Sequence, residues 1–264
     1  METLKTILVG KKQGIATVTL NRPEVRNAMN LQMIRELNTV LEELNGDSTI
    51  RLIRFNSTGD HFCAGADLEW MRAGQALTED QLKREGQELA GLFRRIRESA
   101  AVTVCSVKGQ VPGGAVGLLA ASDFVVAERS VSLRFPEVKL GLIPATVAPY
   151  VLRKAGYART SDWMATGRLI PVSEAKEAGL VHRICGEGSI EATTEELIKE
   201  LLSGGVQALK GVKSLLRNLE NLSDPQEVDS YTAGLIAGFR VSPEGQEGMK
   251  AFLEKRKPRW DEPN

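Results

Sequence analysis

From Thr6 to Val181 the chain alternates short β-branched runs with stretches of helical period, and beyond Val181 the helical period dominates. Thr6–Val9, Ile15–Leu20, Ile50–Phe55, Val102–Val107 and Phe124–Ala127 read as strands. Asn30–Leu44 reads as an amphipathic helix through Leu31, Ile34, Leu37, Val40, Leu41 and Leu44, and Glu79–Ser99 as another through Leu82, Leu89, Leu92, Phe93 and Ile96. Ala115–Ala121, small and apolar on every side, suits a buried helix. Strands alternating with helices predict crossover units about a largely parallel sheet. Gly10 to Gly14 is expected to turn a first hairpin, and Gly46 to cap the first helix. The spans Glu191–Leu202, Val206–Leu219, Gln226–Gly238 and Glu244–Lys257 all read as helices. The division expected is therefore an α/β core over 1–190 and a helical region over 191–264, suited to covering a site or joining subunits.

Composition excludes several classes. Lys plus Arg and Asp plus Glu are both 34, so the formal charge is zero, which argues against a nucleic-acid partner. Cys63, Cys105 and Cys185 are odd in number and form no CxxC pair, as in a reduced, cytoplasmic protein. The opening METLKTILVGKKQG is too short for a membrane span and lacks the layout of a signal peptide, so no membrane partner is expected. His61 and His182 stand in no metal-ligand spacing and no GxSxG occurs, so neither a metal nor a covalent nucleophile is expected.

Two glycine-rich turns remain, each after a strand: Phe62-Cys63-Ala64-Gly65-Ala66-Asp67-Leu68 and Gly109-Gln110-Val111-Pro112-Gly113-Gly114. Singly, each fits a strand-to-helix turn with small residues for packing. Together they could aim two backbone N–H groups at one oxygen, as an oxyanion hole requires, and Gly113-Gly114 opens a helix whose first turn has free N–H groups. Glu137 is the candidate acid. An isolated Glu is usually a surface charge, but this one stands among Leu133, Phe135, Pro136, Val138 and Leu140, which favours a raised pKa and proton transfer near neutral pH.

FCAGADL, GGAVG and PEVKLGLIP, over a span from about Thr6 to Arg259, resemble the enoyl-CoA hydratase/isomerase (crotonase) superfamily. The resemblance implies the crotonase spiral of repeated ββα units with a C-terminal helical region. It assigns the oxyanion N–H groups to Ala66 and Gly114 and the acid/base to Glu137. The substrate would be an acyl-CoA thioester, coenzyme A being part of the substrate and no separate cofactor being needed. It also implies CoA contacts at Ala64, Gly65, Asp67, Leu68 and Gly113, and phosphate contacts at Arg26 and at Lys255, the latter often from a neighbouring subunit. Arg26 fits a surface charge as well, and Lys255 fits a basic helix end complementing the dipole. The family's habit of pairing trimers into hexamers implies a homo-oligomer.

The chain departs from the two-glutamate pattern of that superfamily at Gly117, and no nearby Glu replaces it. Its wording in GADLEWM, GGAVGLLAASD and GLIPATVAPYVLRKAG resembles the 3-methylglutaconyl-CoA hydratase branch, which serves leucine degradation. Hydration of a branched 2-enoyl-CoA is the reading this implies. A Δ3,Δ2-enoyl-CoA isomerase needing only Glu137 and a non-catalytic binding protein on the same scaffold are the alternatives.

Overall fold

The computed structural model describes residues 4–261, so residues 1–3 and 262–264, the outer ends of the two expected regions, lie outside it. β1 (Ile7–Lys12) and β2 (Ile15–Leu20) form an antiparallel hairpin. The strand runs through Gly10 to Lys12, and Gln13 and Gly14 alone make the turn, both at positive φ (50° and 77°). The expected five-residue turn is thus a two-residue one, the kind whose twist matches the strands it joins. β2, β3 (Leu52–Ser57), β4 (Val102–Val107), β6 (Phe124–Glu128) and β9 (Arg183–Cys185) continue as a parallel sheet in that order. A second sheet is formed by β5 (Gln110–Pro112), β7 (Ser132–Arg134) and β8 (Leu169–Pro171). The chain visits the large sheet, then the small one, then a helix: β4, β5 and α4 (Gly114–Ala121) make one such ββα turn. β6, β7 and α5 (Ala148–Thr166) make the next, with a break at Gly156 (φ 73°). This is the ββα spiral of a crotonase fold.

β4 is buried at all six positions, as expected for a central parallel strand covered on both faces. Its polar residues are satisfied: Asp123 Oδ2 accepts from Thr103 N and Oγ1 (2.8 Å each), and Ser106 Oγ lies 3.0 Å from Thr194 Oγ1. α1 (Leu31–Gly46) starts at Asn30, whose side chain accepts from Met33 N, and it buries Met33, Ile34, Leu37, Val40, Leu41 and Leu44. It ends at Asp47 in extended conformation, so Gly46 closes the helix in ordinary helical geometry and is not a left-handed cap. α2 (Leu68–Gly74) follows the first glycine turn, and α3 (Glu79–Glu98) opens with a reciprocal Thr78–Gln81 capping box. α3 buries Leu92, Phe93 and Ile96; Leu82, expected on the same face, is 45% exposed beside Gly74 at the end of α2. β9, which the helical pattern after Val181 conceals, is only three residues long.

Contacts divide the chain into two compact units, one through Thr194 and one from Glu195. α6 (Val172–Glu177) belongs to the first, and α7 (Ile190–Leu202) runs across the boundary. The second unit holds α8 (Val206–Leu219), α9 (Pro225–Val241) and α10 (Pro243–Leu253). Glu244 caps α8 by accepting from Gln207 N and Ala208 N (2.9 and 2.8 Å), and Asn218 Nδ2 donates to Tyr231 Oη (2.8 Å) across α8 and α9. The last helix stops at Leu253, four residues before its expected end, so Lys255 lies beyond the helix in left-handed conformation (φ 53°).

Candidate active site

The Phe62–Leu68 turn is held on one side by the loop that follows β2. Arg26 and Asn27 both adopt positive φ, and Arg26 O accepts from Ala64 N (3.0 Å). Asn27 Nδ2 donates to Thr58 O and His61 O. Met29 then pairs with Ala66 as an isolated parallel bridge, through Met29 N to Gly65 O and Asp67 N to Met29 O. That pattern uses the groups flanking Ala66 and leaves the Ala66 N–H itself without an acceptor among the described residues.

Asp67 is the N-cap of α2, its Oδ1 accepting from Glu69 N (2.8 Å) and Trp70 N (3.4 Å) while Oδ2 meets Arg22 Nη1 at 2.8 Å. Burial alone would raise its pKa, but the Arg22 guanidinium and the two N–H groups outweigh it and hold the carboxyl below its usual value. Arg22 Nη1 also donates to Ala28 O (2.7 Å), so one cation ties the 22–28 loop to the glycine turn. In the sequence, Arg22 reads only as part of the stop after β2; nothing local marks it as the partner of Asp67.

The second turn meets the first at Gly65. A β-carbon there would lie 3.0 Å from Pro112 O, and φ is +87°, so both space and backbone require glycine. Gly113 (φ +56°) follows, anchored by its N–H to Arg134 O (2.8 Å), and Gly114 starts α4. The Gly114 N–H, at the first helical position, has no acceptor among the described residues. Ala66 and Gly114 are therefore two uncommitted donors on turns that touch.

Glu137 lies directly over this junction. A β-carbon on Gly113 would come within 2.8 Å of Glu137 Oε1, and the positive φ of Gly113 disfavours any side chain there. Glu137 opens a one-turn 3-10 helix ending at Leu140, and that turn is closed by Gly141 at φ +72°. Its Oε2 is buried with no hydrogen-bond partner, and burial pushes its pKa up from the ordinary carboxylate value. Leu133 and Phe135 are fully buried, whereas Val138 and Leu140 are 40% and 59% exposed. The desolvation expected from both flanks thus arises from the Gly113 side and the strand, without those two residues.

The space beside Gly117 is filled. A β-carbon there would lie 2.6 Å from Cε1 and Cε2 of Phe93, which is itself buried and packs edge-on against Tyr150 at 5.8 Å between centroids. α3 thus places an aromatic ring where a side chain one helical turn past Gly114 would stand. The ring's neighbour was not legible locally, because Phe93 and Gly117 belong to different helices.

Other expected residues fall into place unevenly. Arg26, Ala64, Gly65, Ala66, Asp67, Leu68, Gly113, Gly114 and Glu137 form one contiguous region of the first unit, with Arg26, Ala66 and Leu68 exposed. Lys255 belongs to the second unit and is exposed. Cys63, Cys105 and Cys185 are free and buried, and burial pushes the Cys63 and Cys105 thiols up to about 12, which disfavours a thiolate nucleophile. His182 Nδ1 accepts from Val125 N (3.1 Å) and burial lowers its pKa to about 4. Among the described residues no cluster of His, Cys, Asp and Glu could hold a metal ion, and no helix is long and apolar enough to cross a membrane.

Comparison with known proteins agrees with this architecture. The sequence profile described as enoyl-CoA hydratase/isomerase matches residues 10–263. The crystal structure of an enoyl-CoA hydratase from Shewanella pealeana superimposes with a TM-score of 0.93 at 35% identity, covering 98% of this chain and 97% of that one. The trans-2-decenoyl-[acyl-carrier-protein] isomerase of Streptococcus mutans is 28% identical over 97% of this chain and 98% of its own length. The 1,2-epoxyphenylacetyl-CoA isomerase of Escherichia coli is likewise 28% identical over 97% of this chain and 98% of its own.

Proposed function

Because the chain belongs to the enoyl-CoA hydratase/isomerase family, we propose that it adds water across the double bond of a branched 2-enoyl-CoA of the 3-methylglutaconyl-CoA kind. The observation that carries this reading is the half-buried Glu137 carboxyl, its Oε2 without a hydrogen-bond partner, lying over Gly113 next to the uncommitted Gly114 N–H. In this mechanism the thioester oxygen accepts from Ala66 N–H and Gly114 N–H. Glu137 takes a proton from water as the hydroxide oxygen bonds to C3. The π pair moves onto the thioester as an enolate, and Glu137 returns the proton to C2. The two N–H groups serve the charge that develops on oxygen, where one donor contributes about 3–4 kcal/mol in comparable sites. Burial raises the Glu137 pKa, which favours its holding the proton between removal from water and return to C2. Gly65, Leu68 and the 23–28 loop with Arg26 would receive the CoA arm and its phosphates, and Lys255 would add a phosphate contact from a neighbouring subunit.

A second reading, transfer of a proton between C4 and C2 of a 3-enoyl-CoA, is favoured by Phe93, whose ring occupies the position beside Gly117 and leaves Glu137 as the acid at this junction. The purified protein should be assayed against 3-methylglutaconyl-CoA, 3-methylcrotonyl-CoA, crotonyl-CoA and a 3-enoyl-CoA. Loss of enoyl absorbance with a branched substrate, faster than with crotonyl-CoA, supports hydration. Conversion of the 3-enoyl substrate alone assigns the isomerase, and turnover of none favours a binding protein.

A further inference from the structure

Three side chains stand one helical turn apart on α3, and the two inner ones meet the site: Phe93 fills the space at Gly117, and Leu89 Cδ2 lies 3.9 Å from where a Gly114 β-carbon would be. The third position of that row is Glu85. Its Oε2 accepts a 2.7 Å hydrogen bond from Trp70 Nε1, and Trp70 belongs to α2, the helix that Asp67 caps directly after Ala66. Glu85 is therefore tied to both halves of the junction, to the Gly114 turn through its own helix and to the Ala66 turn through the Trp70 indole. Both Glu85 and Trp70 are half-buried. Arg35, on which Glu85 acts only at longer range, is engaged by Glu88 through Nε and Nη2 (3.0 and 2.9 Å).

We infer that Glu85 is a second carboxylate of the acyl-CoA site, a positioning residue whose Oε1 holds one hydrogen of the attacking water while Glu137 takes the other. The inference rests on the hydratase reading above. One O–H of the water breaks toward Glu137, the oxygen bonds to C3, the π pair becomes the enolate, and the proton on Glu137 returns to C2. Glu85 is unchanged throughout and orients the nucleophile. The indole bond fixes the carboxylate rotamer, which is what a water-orienting group needs. A carboxylate remote in sequence would in this way occupy the role left open at Gly117.

The test uses the full chain carrying Glu85→Gln and compares two reactions. Hydration of the best branched substrate needs an oriented water, whereas exchange of the C2 proton of a saturated acyl-CoA with D2O needs only Glu137 and the two N–H donors. Glu85→Gln should lower kcat for hydration roughly tenfold to a hundredfold with KM within about threefold, and leave exchange within about threefold of wild type. Trp70→Phe, which keeps the ring and removes the donor, should shift the same ratio in the same direction. Equal losses in both reactions would assign Glu85 a merely structural role and overturn the inference, as would wild-type hydration by Glu85→Gln. If Glu85→Gln does not fold, Trp70→Phe decides by the same two readouts. Absence of hydration in the wild type itself would overturn the hydratase reading and this inference together.

Discussion

Glu137 Oε2 is buried without a partner, so the charged form of this carboxyl loses water, and the hydrogen bond from its own backbone N–H only partly offsets that loss. The folded-state pKa is raised above the unfolded value, so between the two the folded protein holds a proton that the unfolded chain has released. Stability therefore falls as pH rises through that window. Glu137→Gln should melt at a higher temperature than wild type at pH 7, and the difference should close below about pH 4, measured by calorimetry across pH. Asp67 carries the opposite sign: its carboxyl is held low, so its contribution is present at neutral pH and is lost as pH falls through the lowered folded value. Asp67→Ala removes the cap of α2 and strands the Arg22 guanidinium, and should cost about 2–4 kcal/mol in denaturant unfolding. Both carboxylates were singled out from sequence by their motifs. That Arg22 pairs with Asp67 and that Gly113 lies under Glu137 was not legible, since these contacts arise only through the loop after β2 and the crossing of the two turns.

At the scale of elements, the α3–α4 contact leaves no room for a side chain at Gly117. Gly117→Ala should destabilise the protein by about 1–3 kcal/mol, because its new methyl group meets the Phe93 ring, and Phe93→Leu in the same chain should recover part of that loss. Thermal melts of the two single variants and the double variant measure this coupling; additive effects would mean the ring yields freely. Strand and helix periods were legible where burial is one-sided or complete, as in β2, β4 and α1. Three-residue strands such as β5, β7 and β9 carry too few positions for a period to show, and the small sheet was missed for that reason. Helix ends differ from expectation: Asp47 and not Gly46 is the C-cap of α1, and α10 stops at Leu253, capped by Glu254, instead of running to Lys257. The Trp70–Glu85 hydrogen bond was likewise invisible, because it links two helices through residues whose types carry no motif.

Over the whole molecule, the second unit presents apolar side chains to solvent, Phe252 at 82%, Leu253 at 79% and Val241 at 77%. Such side chains could be buried between copies of the chain, and for the oligomer implied by the family resemblance we propose a homotrimer or dimer of trimers. Sedimentation at micromolar concentration should give three or six times the chain mass; a monomer would remove the phosphate contact in trans proposed for Lys255. In the oligomer, Lys255→Ala should raise KM for the CoA substrate about threefold to tenfold with kcat little changed. The zero net charge and the alternating pattern of the first unit were plain from the sequence, and so were the two turns. What brings those turns together, Gly65 against Pro112 and Glu137 over Gly113, belongs to the spiral and had to be seen folded.

The central claim is that Glu137, with two backbone N–H groups, moves the C2 proton through an enolate. Incorporation of deuterium at C2 of a saturated acyl-CoA in D2O, followed by mass spectrometry, tests it without regard to the acyl chain's natural identity. The account predicts steady exchange by the wild type and a loss of about a hundredfold to ten-thousandfold in Glu137→Gln. Exchange that survives in Glu137→Gln would contradict it and require another acid.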